Sequence, residues 1–230
     1  MGLKEDCYIR PIPYDEAMQV VVKNHYLHRK PPCSYAFGLF NTHTHTLCGC
    51  VTYGCPPSRS LQRGICGDEE ADNVIELNRL WISEDLPRNA ASYLVSHTIK
   101  QLPYEIVVSF ADTGVGHVGY IYQATNFLYT GHSAERVDWH IEGLKVHPRS
   151  ISHKGDTLES LKERYGDAFG YQRRSSKNRY IYFNAKGKRK EQLIGKLRYK
   201  VQPYPKGDAK KVEVNRNAID TQMTLDDFIA

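Results

Sequence analysis

The chain of 230 residues has no apolar run approaching the roughly 18 residues that a membrane-spanning helix needs. A helical membrane protein is therefore excluded. Its opening, MGLKEDCYIR, lacks the apolar core of a secretory signal, and Asp6 stands where myristoylation of Gly2 would call for Ser or Thr. The expectation is a protein that stays in the cytoplasm where it is made. Internal repeats are lacking as well, which argues against a solenoid or propeller. Cysteine is sparse and lopsided: all six, at 7, 33, 48, 50, 55 and 66, fall in the first third. In a cytosolic setting this gives no disulfide framework and reads as reduced thiols on or near strands. His43, His45, Cys48 and Cys50 match no zinc-knuckle spacing and read as a polar hairpin tip running into a strand.

What is present is ordinary for one compact domain with a tail, or at most two small domains: 40% hydrophobic and 25% charged residues. The net charge of +5 conceals an asymmetry. Residues 173–216 hold 15 Lys and Arg against 3 Asp and Glu, leaving 16 basic and 23 acidic residues elsewhere. Tyr180, Tyr182, Phe183, Tyr199 and Tyr204 are interleaved with that basic block. Lys and Arg attract phosphates and aromatic rings stack on bases, so the block suits a nucleic acid. A solvated basic surface is the plain alternative.

Residues 7–12 read as a strand, and Pro13 opens a helix with Tyr14, Ala17, Met18, Val21 and Val22 on one face, ending near Asn24 before a double proline. CSYAFGLFN and TLCGCVTYG read as a hairpin, residues 56–73 as a loop, and NVIELNRLWIS as a strand. PRNAAS resembles a capped helix start. EIVVSFAD is a buried strand, GVGHVGYIYQATNF a glycine-lined turn into a short helix, FLYTG a strand, and RYIYFN strand-like. Together they predict a mixed α/β sheet with helices on both faces. The expected division is a catalytic domain over 1–172, a basic DNA-contacting extension over 173–216 and a loose tail over 217–230.

Polar groups collect in three places: His25-Tyr26-Leu27-His28-Arg29, the Glu76, Asn78 and Arg79 set with Arg88, Asn89 and Ser92 after it, and Asp112, His117, Tyr122 and Gln123. In open α/β sheets sites form beyond the carboxyl ends of strands, where Asp112 and the helix start at Asn89 are expected. Each group alone has a structural explanation, such as an ion pair between Glu76 and Arg79. Gly114, Gly116 and Gly119 spell G-x-G-x-x-G, but no acidic residue at the right distance completes a dinucleotide fingerprint.

HYLHR, YAFGLF, GCVTYG, VIELNRLWI, PRNAAS, VVSFADTGVGHVGYIYQATNFLYTG, RYIYF and PYPK resemble the Mom family of phage DNA-modification proteins, over roughly residues 8–205. The resemblance implies a fold like that of the GNAT acyltransferases, with a mixed sheet splayed at its centre. It also implies conversion of adenine in DNA to N6-(carbamoylmethyl)adenine, protecting phage DNA from restriction in the host cytoplasm. Carried onto this sequence, the catalytic positions are His25, Tyr26, Asp112 and Tyr122, with Ser92 less securely aligned. Iron is implied as a possible cofactor, with His25, Asp112 and Tyr122 as ligands. GNAT enzymes cradle acetyl-CoA on a glycine-containing turn. DLPRNAAS has no glycine there, which argues against acetyl-CoA as donor.

On this reading Asp112 accepts from the N6 amine and takes its proton, while Tyr26 and Tyr122 hold the flipped base. His25 positions the donor, and Arg79, Arg88, Asn89, Ser92, His117 and Gln123 bind substrate. Gln222, Leu225, Phe228 and Ile229 in the tail resemble the PIP box through which replication proteins dock on sliding clamps. The rivals are a CoA-dependent N-acetyltransferase acting on an amine outside DNA, and a non-catalytic DNA-binding or clamp-associated module.

Overall fold

The computed structural model describes residues 3–144, 151 and 155–207. A short helix α1 (Leu3–Asp6) leads into β1 (Cys7–Pro11), and Pro13 precedes α2 (Tyr14–Asn24), whose Ala17, Met18 and Val21 are buried. The hairpin expected next is β2 (Tyr35–Asn41) and β3 (Leu47–Gly54), paired antiparallel. Residues 56–73 are not all loop as expected. They contain α3 (Arg59–Cys66), capped by the Ser58 hydroxyl, which accepts from the Leu61 N–H. Its buried Ile65 and Cys66 form too short a stripe to show against the surrounding turn residues.

The central unit follows in the expected order: β4 (Val74–Ile82), α4 (Ala90–Thr98), β5 (Ile106–Asp112), α5 (Tyr120–Ala124) and β6 (Leu128–His132). The start of α4 differs in detail. Asn89 makes no side-chain cap, and the Ser92 hydroxyl instead donates to the Asn89 carbonyl at 3.0 Å. Three elements then come before the last strand: β7 (Arg136–Ile141), α6 (Leu158–Tyr165) and β8 (Phe169–Arg174). The described chain continues with β9 (Lys177–Phe183) and α7 (Gly187–Lys196).

The main sheet has the order β1-β2-β3-β4-β5-β9-β6, with β7 and β8 forming a separate antiparallel pair. Alternation along the strands sorts the core onto two faces. Ile75, Leu77, Val107 and Tyr180 meet Leu94 and Val95 of α4 and Ile99 just after it, with Tyr122 of α5 beside them. On the other face Val74, Ile106, Val108 and Ile181 meet Ile65 of α3 and Leu193 of α7, and Cys50 meets α2. The β4–β5 pair is parallel and registers only from Val74↔Ile106 to Leu77↔Ser109. Beyond it β4 stays with β3 while β5 stays with β9. The sheet is thus mixed and splayed at its centre, with helices on both faces. No helix among the described residues is long and apolar enough to cross a membrane.

The division expected at residue 172 is corrected by the sheet. Strand β9 lies between β5 and β6, pairing along its whole length with β5, so 173–216 begins inside the domain rather than beside it. Its apolar alternation, Tyr180 against Ile181 and Phe183, is what draws it in. Part of its charge is also spent within the fold. Arg174 pairs with Asp138, Lys177 with Asp112, Arg189 with Glu70 and Glu105, and Lys196 with Glu69 and Glu70. The Arg179 guanidinium lies 3.4 Å over the Tyr199 ring. Residues 197–207 then cross the outer edge of β6, where the Gln202 N–H donates to the Tyr129 carbonyl and the Tyr204 hydroxyl to the Phe127 carbonyl. That covers an edge otherwise open to pairing. The clamp-like peptide of Gln222, Leu225, Phe228 and Ile229 lies outside the described residues.

Candidate active site

The site forms where the sheet opens. Thr52 pairs with Arg79 but Tyr53 pairs with Leu77, so Asn78 is the extra residue of a β-bulge. Its amide is fixed on both sides: Thr52 Oγ1 donates to Oδ1 at 2.7 Å, and Nδ2 donates to the Pro32 carbonyl at 2.6 Å. The bulge reverses the alternation of β4. Ile75 and Leu77 face α4, and after the bulge so do Leu80 and Ile82. Arg79 is therefore turned to the α2 face, where Nη1 donates to the Asn78 carbonyl and Nη2 to the Arg29 carbonyl. Its Nε is buried with no hydrogen-bond partner among the described residues. Burial, more than any neighbour, lowers the pKa of this guanidinium.

On the same side α2 ends at His25, whose backbone turns extended after its N–H bonds the Val21 carbonyl. The His25 ring stacks on Tyr26 with centroids 4.5 Å apart, and Tyr26 meets the His117 ring edge-on at 5.7 Å. His25 Nδ1 accepts from the Leu27 N–H at 3.2 Å, which puts the proton of the neutral ring on Nε2. Burial first, then electrostatic coupling to Arg79, His117, His28 and Lys177, pushes the His25 pKa down to about 3. Burial, helped by the Asp112 charge, raises Tyr26 to about 12. Burial lowers His117, against the pull of Asp112.

Asp112 ends β5. Its Oδ1 accepts from the Gly114 N–H at 2.9 Å and from Ser175 Oγ at 2.7 Å, while Lys177 Nζ stands 3.6 Å from Oδ2. Tyr122 comes from the other face. Its hydroxyl bonds Ser109, which in turn donates to the Leu77 carbonyl at the last paired rung of β4 and β5. Burial raises Tyr122 to about 12, with Tyr26, Glu76 and Arg79 as electrostatic neighbours. The gap in the sheet thus gathers His25, Tyr26, Arg79, Asp112, His117 and Tyr122. Sequence reasoning missed Ser109, Ser175, Lys177 and the bulge at Asn78. Only the alternation break in VIELNRLWI, with polar Asn78 and Arg79 adjacent, hinted at the last.

The other expected residues are placed differently. Arg88 and Asn89 are exposed at the start of α4, and Ser92 is turned back on Asn89. No recorded contact joins these three to His25, Tyr26 or Asp112 among the described residues. Gln123 is structural: its Nε2 donates to the Val118 carbonyl, Tyr180 Oη and the Pro205 carbonyl. The glycines serve backbone geometry. Gly119 has φ +80°, and a Cβ there would lie 2.3 Å from the Tyr180 ring.

Of the residues expected to hold iron, Tyr122 bonds Ser109, Asp112 Oδ1 accepts from Gly114 and Ser175 with Lys177 near Oδ2, and His25 Nδ1 accepts from the Leu27 N–H. No group of three His, Cys, Asp or Glu side chains among the described residues is arranged to hold a metal.

The His25 environment predicts a stability effect. Between pH 6.5 and about 3 the unfolded chain takes up a proton that folded His25 refuses, so stability falls as pH falls through that window. His25→Asn is expected to flatten the dependence by roughly 1 kcal/mol per pH unit between pH 6 and 4, measured by urea unfolding. An unchanged slope overturns the assignment.

Fold and site together define a class: an α/β protein whose centrally splayed sheet holds a desolvated, aromatic-lined polar site at strand ends. Within that class the chain belongs to the Mom protein family, which matches residues 6–206. It is 33% identical over 202 residues to the methylcarbamoylase Mom of Escherichia phage Mu, covering 83% of this chain and 80% of that protein. Among solved structures, two N-acetyltransferases are distantly similar. An N-acetyltransferase from Staphylococcus aureus Mu50 has 12% identity and a TM-score of 0.43, over 78% of this chain and 99% of that one. A spermidine/spermine N-acetyltransferase from Vibrio cholerae has 10% identity and a TM-score of 0.45, over 80% and 95%.

Proposed function

We propose that the chain transfers a carbamoylmethyl group to N6 of adenine in double-stranded DNA, shielding phage DNA from host restriction nucleases. The observation that carries this reading is the convergence of His25, Tyr26, Arg79, Asp112, His117 and Tyr122 in the sheet opening of a chain in this family.

Adenine N6 is a poor nucleophile because its lone pair is delocalised into the ring, and it is stacked inside the duplex. The base must leave the stack and be held by its edge. Asp112 Oδ2 is the acceptor for an N6 proton, since Oδ1 is taken by Gly114 and Ser175. Tyr26 and Tyr122, both neutral at working pH, offer ring faces and hydroxyls to the base. His25 donates from Nε2. The buried Arg79 Nε, which lacks a partner among the described residues, suits a carbonyl or anionic oxygen of the donor. In the transfer the N6–carbon bond forms as the methylene carbon parts from the donor's leaving group, and one N6 proton passes to the acceptor.

The test is expression of the intact chain and of Asp112→Ala, followed by nucleoside mass measurement on digested DNA. Wild type is expected to yield deoxyadenosine heavier by one carbamoylmethyl group in place of hydrogen, and the variant none. Only ordinary nucleosides from the wild-type culture overturn the reading.

A further inference from the structure

The basic residues of the C-terminal third stand at two ends of the sheet. Lys177 opposes Asp112 and Phe183 opposes Ile106, so the Lys186, Lys188 and Lys190 cluster of α7 sits about 20 Å from the site, one strand length away. Exposed cations next to the site must come from elsewhere, and the β7–β8 ribbon supplies one. The ribbon leaves after β6 and returns into β9. At its root Ser133 and Lys177 exchange two hydrogen bonds, the Ser133 N–H donating to the Lys177 carbonyl at 2.8 Å and the Lys177 N–H to Ser133 Oγ at 2.9 Å. Ser175, directly after β8, is the residue that holds Asp112.

One face of this ribbon carries the opposed pairs Val137–Arg173, Trp139–Tyr171 and Ile141–Phe169. Its far half is covered: Ile141, Leu161 and Ile151 form a small buried core with Trp139 and Phe169 packed on it. The half nearer the site is open. Val137 and Tyr171 are 60% and 58% exposed, Arg173 is exposed beside them, and Tyr171 stands edge-on to Phe169 at 5.9 Å. On the opposite face Asp138 neutralises Arg174. An uncovered aromatic and aliphatic pair next to an exposed guanidinium, on a two-stranded ribbon rooted at the site, matches a base stack bordered by phosphate.

Resting on the function above, we propose that the open half of the β7–β8 ribbon is a DNA-docking element, with Tyr171 and Val137 packing against bases beside the everted adenine and Arg173 meeting a phosphate. A two-stranded ribbon is narrow enough to enter the major groove. Tyr171 lies three residues from Arg174, a reach of about 10 Å, or roughly three nucleotide steps along one strand. Tyr171 binds and orients rather than taking part in the transfer, so its loss acts on DNA affinity.

The test is fluorescence anisotropy of a labelled mixed-sequence duplex titrated with the full chain, circular dichroism confirming the fold of each variant. Tyr171→Ala is expected to weaken binding about tenfold, the loss of one stacking contact. Tyr171→Phe should restore most of it, and Tyr14→Ala, an exposed aromatic on α2, should bind like wild type. Tyr171→Ala binding as tightly as wild type overturns the ribbon's role and leaves the function standing. Wild-type chain that binds no duplex overturns both. Sedimentation in which Val137→Asp dissociates a dimer without affecting DNA binding assigns the face to a second copy and overturns the proposal.

Discussion

Asp112→Asn is expected to lower DNA modification at least about a hundredfold while leaving the fold intact. The substitution isolates charge from shape. Asparagine Oδ1 can still accept from the Gly114 N–H and Ser175 Oγ, the two bonds that fasten the end of β5 to the turn and to the link between β8 and β9. What changes is Oδ2, the only acceptor position left for N6, which becomes an amide donor facing the Lys177 ammonium. A donor there repels the N6 amine where the carboxylate attracted it, so both proton acceptance and base orientation fail. Ser175→Ala is the companion, because it removes one of two donors on Oδ1 and keeps the carboxylate. It should reduce modification by about tenfold through misorientation. Modification is read as the modified fraction of deoxyadenosine, with melting curves verifying the fold. Full modification by Asp112→Asn removes this residue from the chemistry.

Arg189→Met is expected to lower unfolding free energy by roughly 2 kcal/mol, less than a fully buried pair because Arg189 is about a third exposed. Glu70 is the reason. Its side chain is 7% exposed and accepts from Arg189 Nη1 at 3.0 Å, Arg189 Nη2 at 2.7 Å and Lys196 Nζ at 2.8 Å. Arg189 also holds Glu105, just before β5, so one side chain on α7 ties together two segments distant in sequence. Hydrogen bonding to Arg189, with that to Lys196, holds the Glu70 carboxyl down at about 2 against its burial. A carboxyl with a depressed folded pKa contributes its stability above its unfolded value of 4.5 and loses it as pH falls towards 2. The variant should therefore differ most from wild type at neutral pH and converge with it in acid. Glu70→Gln combined with Arg189→Met should cost less than the sum of the two. Unfolding free energies from urea titration at pH 7 that agree within about 0.5 kcal/mol count against the network.

The same ion pairs show what charge counting along the chain leaves out. Four basic residues of 173–216, Arg174, Lys177, Arg189 and Lys196, have their partners Glu69, Glu70, Glu105, Asp112 and Asp138 far away in sequence. Strand β9 looked like the start of an extension for a similar reason, since its alternation shows that it is a strand but not which neighbours it joins.

The sequence by itself determined the local elements: α2 from its apolar spacing after Pro13, the β2–β3 hairpin, and β4 and β5 from their β-branched runs. It also marked the short polar segments that are candidates for chemistry, because a polar residue at a strand end is visible without knowing the sheet. The tertiary structure alone decided which of those residues meet. His25, Tyr26 and Arg79 share one face because an extra residue at Asn78 reverses the phase of β4. Tyr122 reaches them from the other face because β4 and β5 part after Leu77 and Ser109. Arg88, Asn89 and Ser92, adjacent in sequence to the same strand, are left outside. Bulge position and strand register are set by long-range pairing and packing, which short-range propensity does not encode.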